Sequence, residues 1–223
     1  MGLQNQCPLC LGESGDDFFQ DDRRSFFRCS NCRLIFVPPH FFLSPEKEKS
    51  RYDTHQNSPE DPRYRAFLSQ LFEPVKKRLS KNSKGLDFGS GPGPTLSVMF
   101  EEAGHQMTLY DRFYAFEPAV FKKSYDFITS SETVEHLQNP KSELDQIWSC
   151  LKPNGILGIM TQFVPSTIEF GSWYYKNDPT HVCFFERQTF HWLAKGWDTS
   201  PEFVAKNVVL LTKRSDFLNH SVR

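Results

Sequence analysis

The chain of 223 residues and 26.0 kDa carries 26 Lys and Arg against 27 Asp and Glu, a formal net charge of -1 with an isoelectric point near 6.7. No global basic field exists to draw in a polyanion, which argues against nucleic acid as the substrate while leaving it possible. A mean hydropathy of -0.53 and the lack of any apolar run of spanning length exclude a membrane protein.

A hydrophobic fraction of 38%, with 22 Phe, suffices for one α/β domain of about 150 residues plus a small module. The segment before Cys7 has no cationic stretch followed by an apolar one, so it does not read as a secretory signal and a cytoplasmic location is expected.

Cys7-Pro-Leu-Cys10 and Cys29-Ser-Asn-Cys32 are two C-x-x-C pairs eighteen residues apart. That spacing suits two turns giving four thiolates to one tetrahedral Zn²⁺. Disulfides are disfavoured in a reducing cytosol. A redox C-x-x-C is disfavoured because neither pair follows a strand and opens a helix. With all four thiolates used as ligands, the ion is structural. It would supply much of the folding free energy of a segment this short. Phe18, Phe19, Phe26 and Phe27 alternate with charges as two strands of a ribbon, Leu34–Val37 continues the second strand, and Pro38-Pro39 ends it.

Ser44-Pro45 reads as a helix start, with Ser44 as N-cap and proline at the first position. The polar stretch Arg51–Pro62 is most simply a connecting loop. From Arg63 to Leu79, apolar residues at Phe67, Leu68, Leu71, Phe72, Val75 and Leu79 have a helical period with one stripe for the sheet. The Lys76–Lys84 cations read as a solvated helix end rather than a nucleic-acid patch.

In Lys84–Pro94, a strand ends in Asp87 and breaks into a turn carrying Gly89, Ser90, Gly91, Pro92 and Gly93. Glycines let backbone amides approach a ligand, and the following helix N-terminus adds the positive end of a dipole. Alone, such a turn is also an ordinary tight αβ loop. Asp111 closes a second apolar run 24 residues after Asp87, where a doubly wound sheet places the carboxylate that holds ribose hydroxyls. No phosphate-loop G-x-x-x-x-G-K-[ST] occurs. An acidic residue just before the glycines suits a cofactor with cationic groups, such as the sulfonium and ammonium of S-adenosylmethionine, better than a pyrophosphate.

Between Arg112 and Ser124 the chain is short and rich in Phe and Pro, so the unit that would supply a third strand is expected to be irregular. Tyr125–Thr129 is the next strand, and Glu132, Glu135 and His136 leave its carboxyl end. For Glu135 and His136, structural hydrogen bonding is the expected role. A helix from Asn139-Pro140 leads through Lys152–Gly155 into the strand Ile156–Met160. Cys150 and Cys183 read as small buried apolar residues. A helix over Glu186–Ala194 and strands over Glu202–Thr212 complete the sheet.

Leu86–Pro94, Tyr125–Leu137 and Leu151–Gly158, in that order, resemble the successive motifs of class I S-adenosylmethionine-dependent methyltransferases. The resemblance runs from about Arg51 to Lys213 and is strongest to a bacterial subgroup with an N-terminal four-cysteine module. It implies a Rossmann-like α/β core, a doubly wound and mostly parallel sheet, over 81–223. A four-cysteine zinc ribbon over 1–43 and a helical lid and linker over 44–80 would precede it. Asp87, Gly89, Ser90, Gly91, Pro92, Gly93, Asp111 and Glu132 would face the cofactor.

The subgroup's Tyr-x-x-His-x-Asn pattern matches Tyr52, His55 and Asn57, which would close over the site. Aromatic residues after the fifth strand, Trp173 and Tyr174, would wall an acceptor pocket, although core packing explains them equally. A Thr-His pair followed by aromatics also occurs in quinol O-methyltransferases, which makes His181, helped by His55, the expected base. The expected activity is methylation of an O or C atom of a small molecule. The alternative is an RNA or protein substrate presented by the ribbon.

Overall fold

The structure, a computed structural model, describes residues 6–12, 15–54, 57–165 and 167–215. Two turns of one shape open the chain. The Cys7 amide donates to the Gly12 carbonyl and the Leu11 amide to that of Cys7, and Cys29, Leu34 and Arg33 repeat the pattern. Leu11 and Arg33 stand at φ of 57° and 65°, the left-handed conformation that wraps each turn around its thiols. The four Sγ atoms of Cys7, Cys10, Cys29 and Cys32 lie within 4.8 Å of one another, and none is in a disulfide.

Between the turns, β1 (Gly15–Gln20) and β2 (Ser25–Cys29) form an antiparallel hairpin. Leu34–Val37 does not extend β2. It turns back as a separate strand, β3 (Ile35–Phe36), because the second cysteine turn reverses the chain before it. The fourth strand of this sheet, Cys183–Phe184, comes from far along the chain and pairs antiparallel with β3. Helices α1 (Pro45–Tyr52) and α2 (Pro62–Lys76) follow, with Ser44 capping α1 as expected.

The main sheet is laid down by β4 (Lys84–Phe88), β5 (Gln106–Tyr110), β6 (Tyr125–Ser131) and β7 (Leu151–Met160), with α3 (Thr95–Glu102) and α4 (Pro140–Ser149) as crossovers. After α5 (Thr167–Phe170), β8 (Cys183–Phe184) and α6 (Arg187–Gly196), it is completed by β9 (Pro201–Ala205) and β10 (Val208–Thr212). The order is β5-β4-β6-β7-β10-β9. The first four strands are parallel, and β10 runs antiparallel to both β7 and β9. Arg112–Ser124 holds a 3-10 turn, Pro118–Lys122, in place of a strand, so β5 is the sheet edge.

Leu68, Leu71, Phe72 and Val75 form the buried stripe of α2, each stabilising the fold by about 1.5–3 kcal/mol. A Cβ on Gly158 of β7 would come within 2.8 Å of Leu71, so glycine lets α2 settle onto the strand. From β4 the chain goes to β5 on one side and then to β6 on the other. That reversal opens a crevice at the carboxyl edge of the sheet.

Candidate functional site at the carboxyl edge of the sheet

Gly89 and Gly91 take φ of 82° and 63°, which bends the chain sharply off β4. The bend is tied to the end of β5. The Gly89 and Ser90 amides donate to the Tyr110 carbonyl at 2.8 and 3.1 Å, and the Gly91 amide to Asp111 Oδ2 at 2.9 Å. Asp111 Oδ1 accepts from the Phe113 and Tyr114 amides at 2.8 and 3.1 Å. Three of about four lone-pair positions on that carboxylate are thus taken by backbone. Asp111 organises the turn and has one position left for a ligand.

Asp87 does not reach the cavity. It is buried beneath the turn, accepting from Ser97 at 2.9 Å and Thr129 at 3.2 Å, and burial raises its pKa to about 6. It braces β4 against α3 and β6.

The cavity above has a volume of about 640 Å³. Gly89, Ser90, Gly91, Pro92 and Asp111 of the turn region line it together with Glu132, Tyr52, Asn57, Tyr174 and His181. Gly93 lies beneath the Asn57 carbonyl, which a Cβ there would strike. Trp173 is not in the wall; it packs on Phe170, Tyr175 and Phe184. His55 lies outside the described residues.

Four further lining residues carry chemistry. Glu135 and His136 sit on a 3-10 turn, Val134–His136, that leaves β6, and Tyr175 begins the loop to His181. Glu48 on α1 accepts from Tyr52 Oη at 2.9 Å and pairs with Arg112 at 3.4 Å. An acidic and a basic residue together where β6 ends, and a run of aromatics before a Thr-His, were the available signals for the first three.

Two carboxyls share one phenol here. Tyr175 Oη contacts Glu132 Oε2 at 3.2 Å and makes a very short hydrogen bond with Glu135 Oε1, while Thr161 Oγ1 donates to Glu135 Oε2 at 2.9 Å. A phenol has one proton to give. Burial, and then the charge of Glu135, push Glu132 up to about 9, so near neutrality Glu132 is the protonated partner and donates toward Tyr175, which donates to Glu135. Glu132 Oε1 is buried with no protein partner among the described residues.

This predicts a pH signature. Glu132 is ionised in the unfolded chain and protonated when folded, so its contribution to stability falls as pH rises from about 5 to 8, by about 1.4 kcal/mol per pH unit. Chemical denaturation of Glu132→Gln across that range should lack this slope. An unchanged slope would contradict the assignment of the proton.

The imidazoles are oriented by backbone. His181 Nδ1 lies 2.8 Å from the Tyr175 carbonyl and His136 Nδ1 lies 3.1 Å from that of Thr180. Carbonyls only accept, so each Nδ1 carries the hydrogen and each Nε2 keeps its lone pair. Burial lowers both pKa values to about 4, which keeps the rings neutral. The rings meet edge to face at 4.7 Å, and the His136 ring also packs on Tyr52 at 5.2 Å. The cavity thus offers two neutral bases beside a buried carboxylate, and the glycine turn lines the same space.

A family profile described as "Methyltransferase domain" matches residues 56–198. Among solved structures, the fold is similar to that of 1,6-didemethyltoxoflavin-N1-methyltransferase from Burkholderia thailandensis, which was crystallised with 1,6-didemethyltoxoflavin and S-adenosylhomocysteine. The TM-score is 0.53 at 15% identity, covering 90% of this chain and 100% of that one. An O-methyltransferase family protein from the same organism gives 0.50 at 14% identity, over 75% of this chain and 63% of that one. These likenesses are of fold. No curated protein matches the sequence.

Proposed function

The chain belongs to the methyltransferase-domain family, and from that premise we propose that it transfers a methyl group from S-adenosylmethionine to an oxygen or carbon of a small-molecule acceptor. The observation that carries this reading is one cavity joining the β4 glycine turn to two neutral imidazoles.

The residues fit such a donor. Glu132 Oε1 is a buried acceptor atom without a protein partner among the described residues, and Glu135 is a buried carboxylate whose nearest basic group, His136 Nε2 at 4.0 Å, is neutral. A cationic ligand offsets the cost of burying the Glu135 charge and can use the open Glu132 oxygen. When bound, S-adenosylmethionine supplies a methyl group on a positively charged sulfur that leaves as a neutral thioether. Gly89, Ser90, Gly91, Pro92 and Asp111 would hold it, with Glu135 supplying negative charge and Glu132 Oε1 an open acceptor. A cavity of this size holds a donor and a small acceptor together, and a net charge of -1 gives no pull on a polyanion.

On the acceptor side, Tyr52 and Tyr174 flank the ring or chain to be methylated and α1 screens the cavity from water, which favours alignment of acceptor and methyl carbon. A hydroxyl or acidic carbon must lose its proton as it reacts. His181 Nε2 takes that proton, with His136 beside it, and the Nδ1–H bonds to backbone keep both rings in the accepting tautomer. A methyl-labelled donor offered with a panel of phenols and enolisable small molecules, and separately with total tRNA and protein, tests the reading. Label in the small molecules is expected; label only in tRNA or protein would overturn it.

Cys7, Cys10, Cys29 and Cys32 form the donor set of a structural Zn²⁺, as four converging free thiols on two matching turns. The purified chain should carry about one equivalent of zinc, and Cys29→Ser should lose the metal and melt at a lower temperature. Intact mass consistent with disulfides, or a metal-free chain with an unaltered melt, would contradict the assignment.

A further inference from the structure

The tip of the ribbon hairpin reaches into the loop that carries His181. Arg24 is buried, and its Nη1 donates to the His181 carbonyl at 2.8 Å. Its Nη2 donates to the Asp178 carbonyl at 3.0 Å and, in a very short contact, to that of Lys176. Among the described residues Arg24 makes no ion pair, so its charge is spent on three backbone oxygens.

Asp21 completes the grip. Its Oδ1 accepts from the Arg23 and Arg24 amides at 2.9 Å, which shapes the hairpin tip, and its Oδ2 pairs with the buried Lys176 ammonium at 2.8 Å. Beyond the loop, β8 is the fourth strand of the ribbon sheet, and the Val37 amide donates to the Val182 carbonyl at 3.0 Å. The loop is therefore held by the ribbon at both ends.

That loop supplies the two carbonyls that set the imidazoles, Tyr175 for His181 and Thr180 for His136. We infer that Arg24 is a positioning residue for methyl transfer: it fixes the 175–181 loop and thereby the tautomer and direction of His181 and His136, so that the four-cysteine module forms part of the acceptor site. Only a guanidinium presents a planar fork able to serve three carbonyls at once. The inference rests on the acceptor-side role of these histidines proposed above.

The test uses the full-length, metal-loaded chain labelled with ¹⁵N and read by imidazole ¹H–¹⁵N correlation, with titration of S-adenosylhomocysteine alongside. Arg24→Gln should lose the Nδ1–H signature of His181 and speed exchange of loop amides by about 10- to 100-fold, the effect of removing a hydrogen bond from a charged donor. Zinc content and S-adenosylhomocysteine affinity should stay at wild-type values. If Arg24→Gln does not fold, Arg24→Lys keeps the charge without the fork and should show the same tautomer change at smaller amplitude.

Unchanged histidine signals and exchange in a folded variant would overturn the inference. The role of the histidines themselves is judged separately: altered tautomers with turnover intact would sink the base and leave the clamp standing.

Discussion

His181→Ala is expected to lower kcat for methyl transfer by about 10²- to 10⁴-fold, the range that a positioned general base contributes. The affinity for S-adenosylmethionine should be nearly unchanged if, as proposed, His181 serves the acceptor while the glycine turn holds the donor. The pH profile carries a second signature. An ordinary histidine protonates near 6.5, whereas burial lowers His181 to about 4. Activity should hold through pH 6 and fall only as pH approaches 4, where the ring gains its proton and Nε2 can no longer accept one. Binding of a cationic donor nearby moves that limb further down, since a positive neighbour disfavours imidazolium. Turnover unaffected by His181→Ala, or an acid limb near 6.5, would contradict the assigned base. His136→Ala serves as the companion measurement: its Nε2 lies 4.0 Å from Glu135, a carboxylate that favours the protonated ring once it forms.

The second large effect is expected at Gly89. Its φ of 82° costs a residue with a Cβ about 1–2 kcal/mol. A Cβ there would also drive into the Thr133 side chain. Thr133 cannot retreat easily, because its hydroxyl bonds the Ser131 carbonyl at 3.0 Å and it stands between Glu132 and the Val134–His136 turn. Gly89→Ala should therefore displace the cradle and the Val134–His136 turn together, costing about 2–4 kcal/mol of stability and abolishing measurable donor binding. Gly104→Ala is the control. It has a similar φ of 86° but open space around it and lies outside the cavity, so it should cost the backbone strain alone and leave binding intact. Equal loss of binding in both variants would show that the effect at Gly89 is general destabilisation.

Much of this architecture was legible in the residues because its signals are local. Glycines after a strand, a carboxylate closing the next strand and two C-x-x-C pairs each depend on neighbours a few positions away, and the structure puts Gly89–Pro92 and Asp111 in one cavity wall. The missing third strand could also be read, since Arg112–Ser124 is short and rich in Phe and Pro.

Non-local pairing was out of reach. Nothing near Ile35 or near Cys183 announces that they will share a ladder, so the module expected within 1–43 turns out to complete its sheet with β8. Trp173 and Tyr175 illustrate a finer limit. Both belong to one aromatic run, yet Trp173 stands in extended backbone before the 3-10 turn and Tyr175 within it, and only Tyr175 reaches Glu132 and Glu135. Glu135 and His136 read as near the cofactor, at the carboxyl end of β6, but with a structural hydrogen-bonding role. Their contacts with Tyr175 and Thr180 depend on the 175–181 loop packing against them, which is a tertiary event.

The claim on which the rest depends is that the crevice above β4, β5 and β6 takes a cationic adenosyl donor. Titration calorimetry with S-adenosylmethionine measures it directly: saturable one-to-one binding is expected, lost in Gly89→Ala and kept in His181→Ala. No heat of binding to the folded, metal-loaded chain, or a preference for a nicotinamide dinucleotide over S-adenosylmethionine, would contradict it.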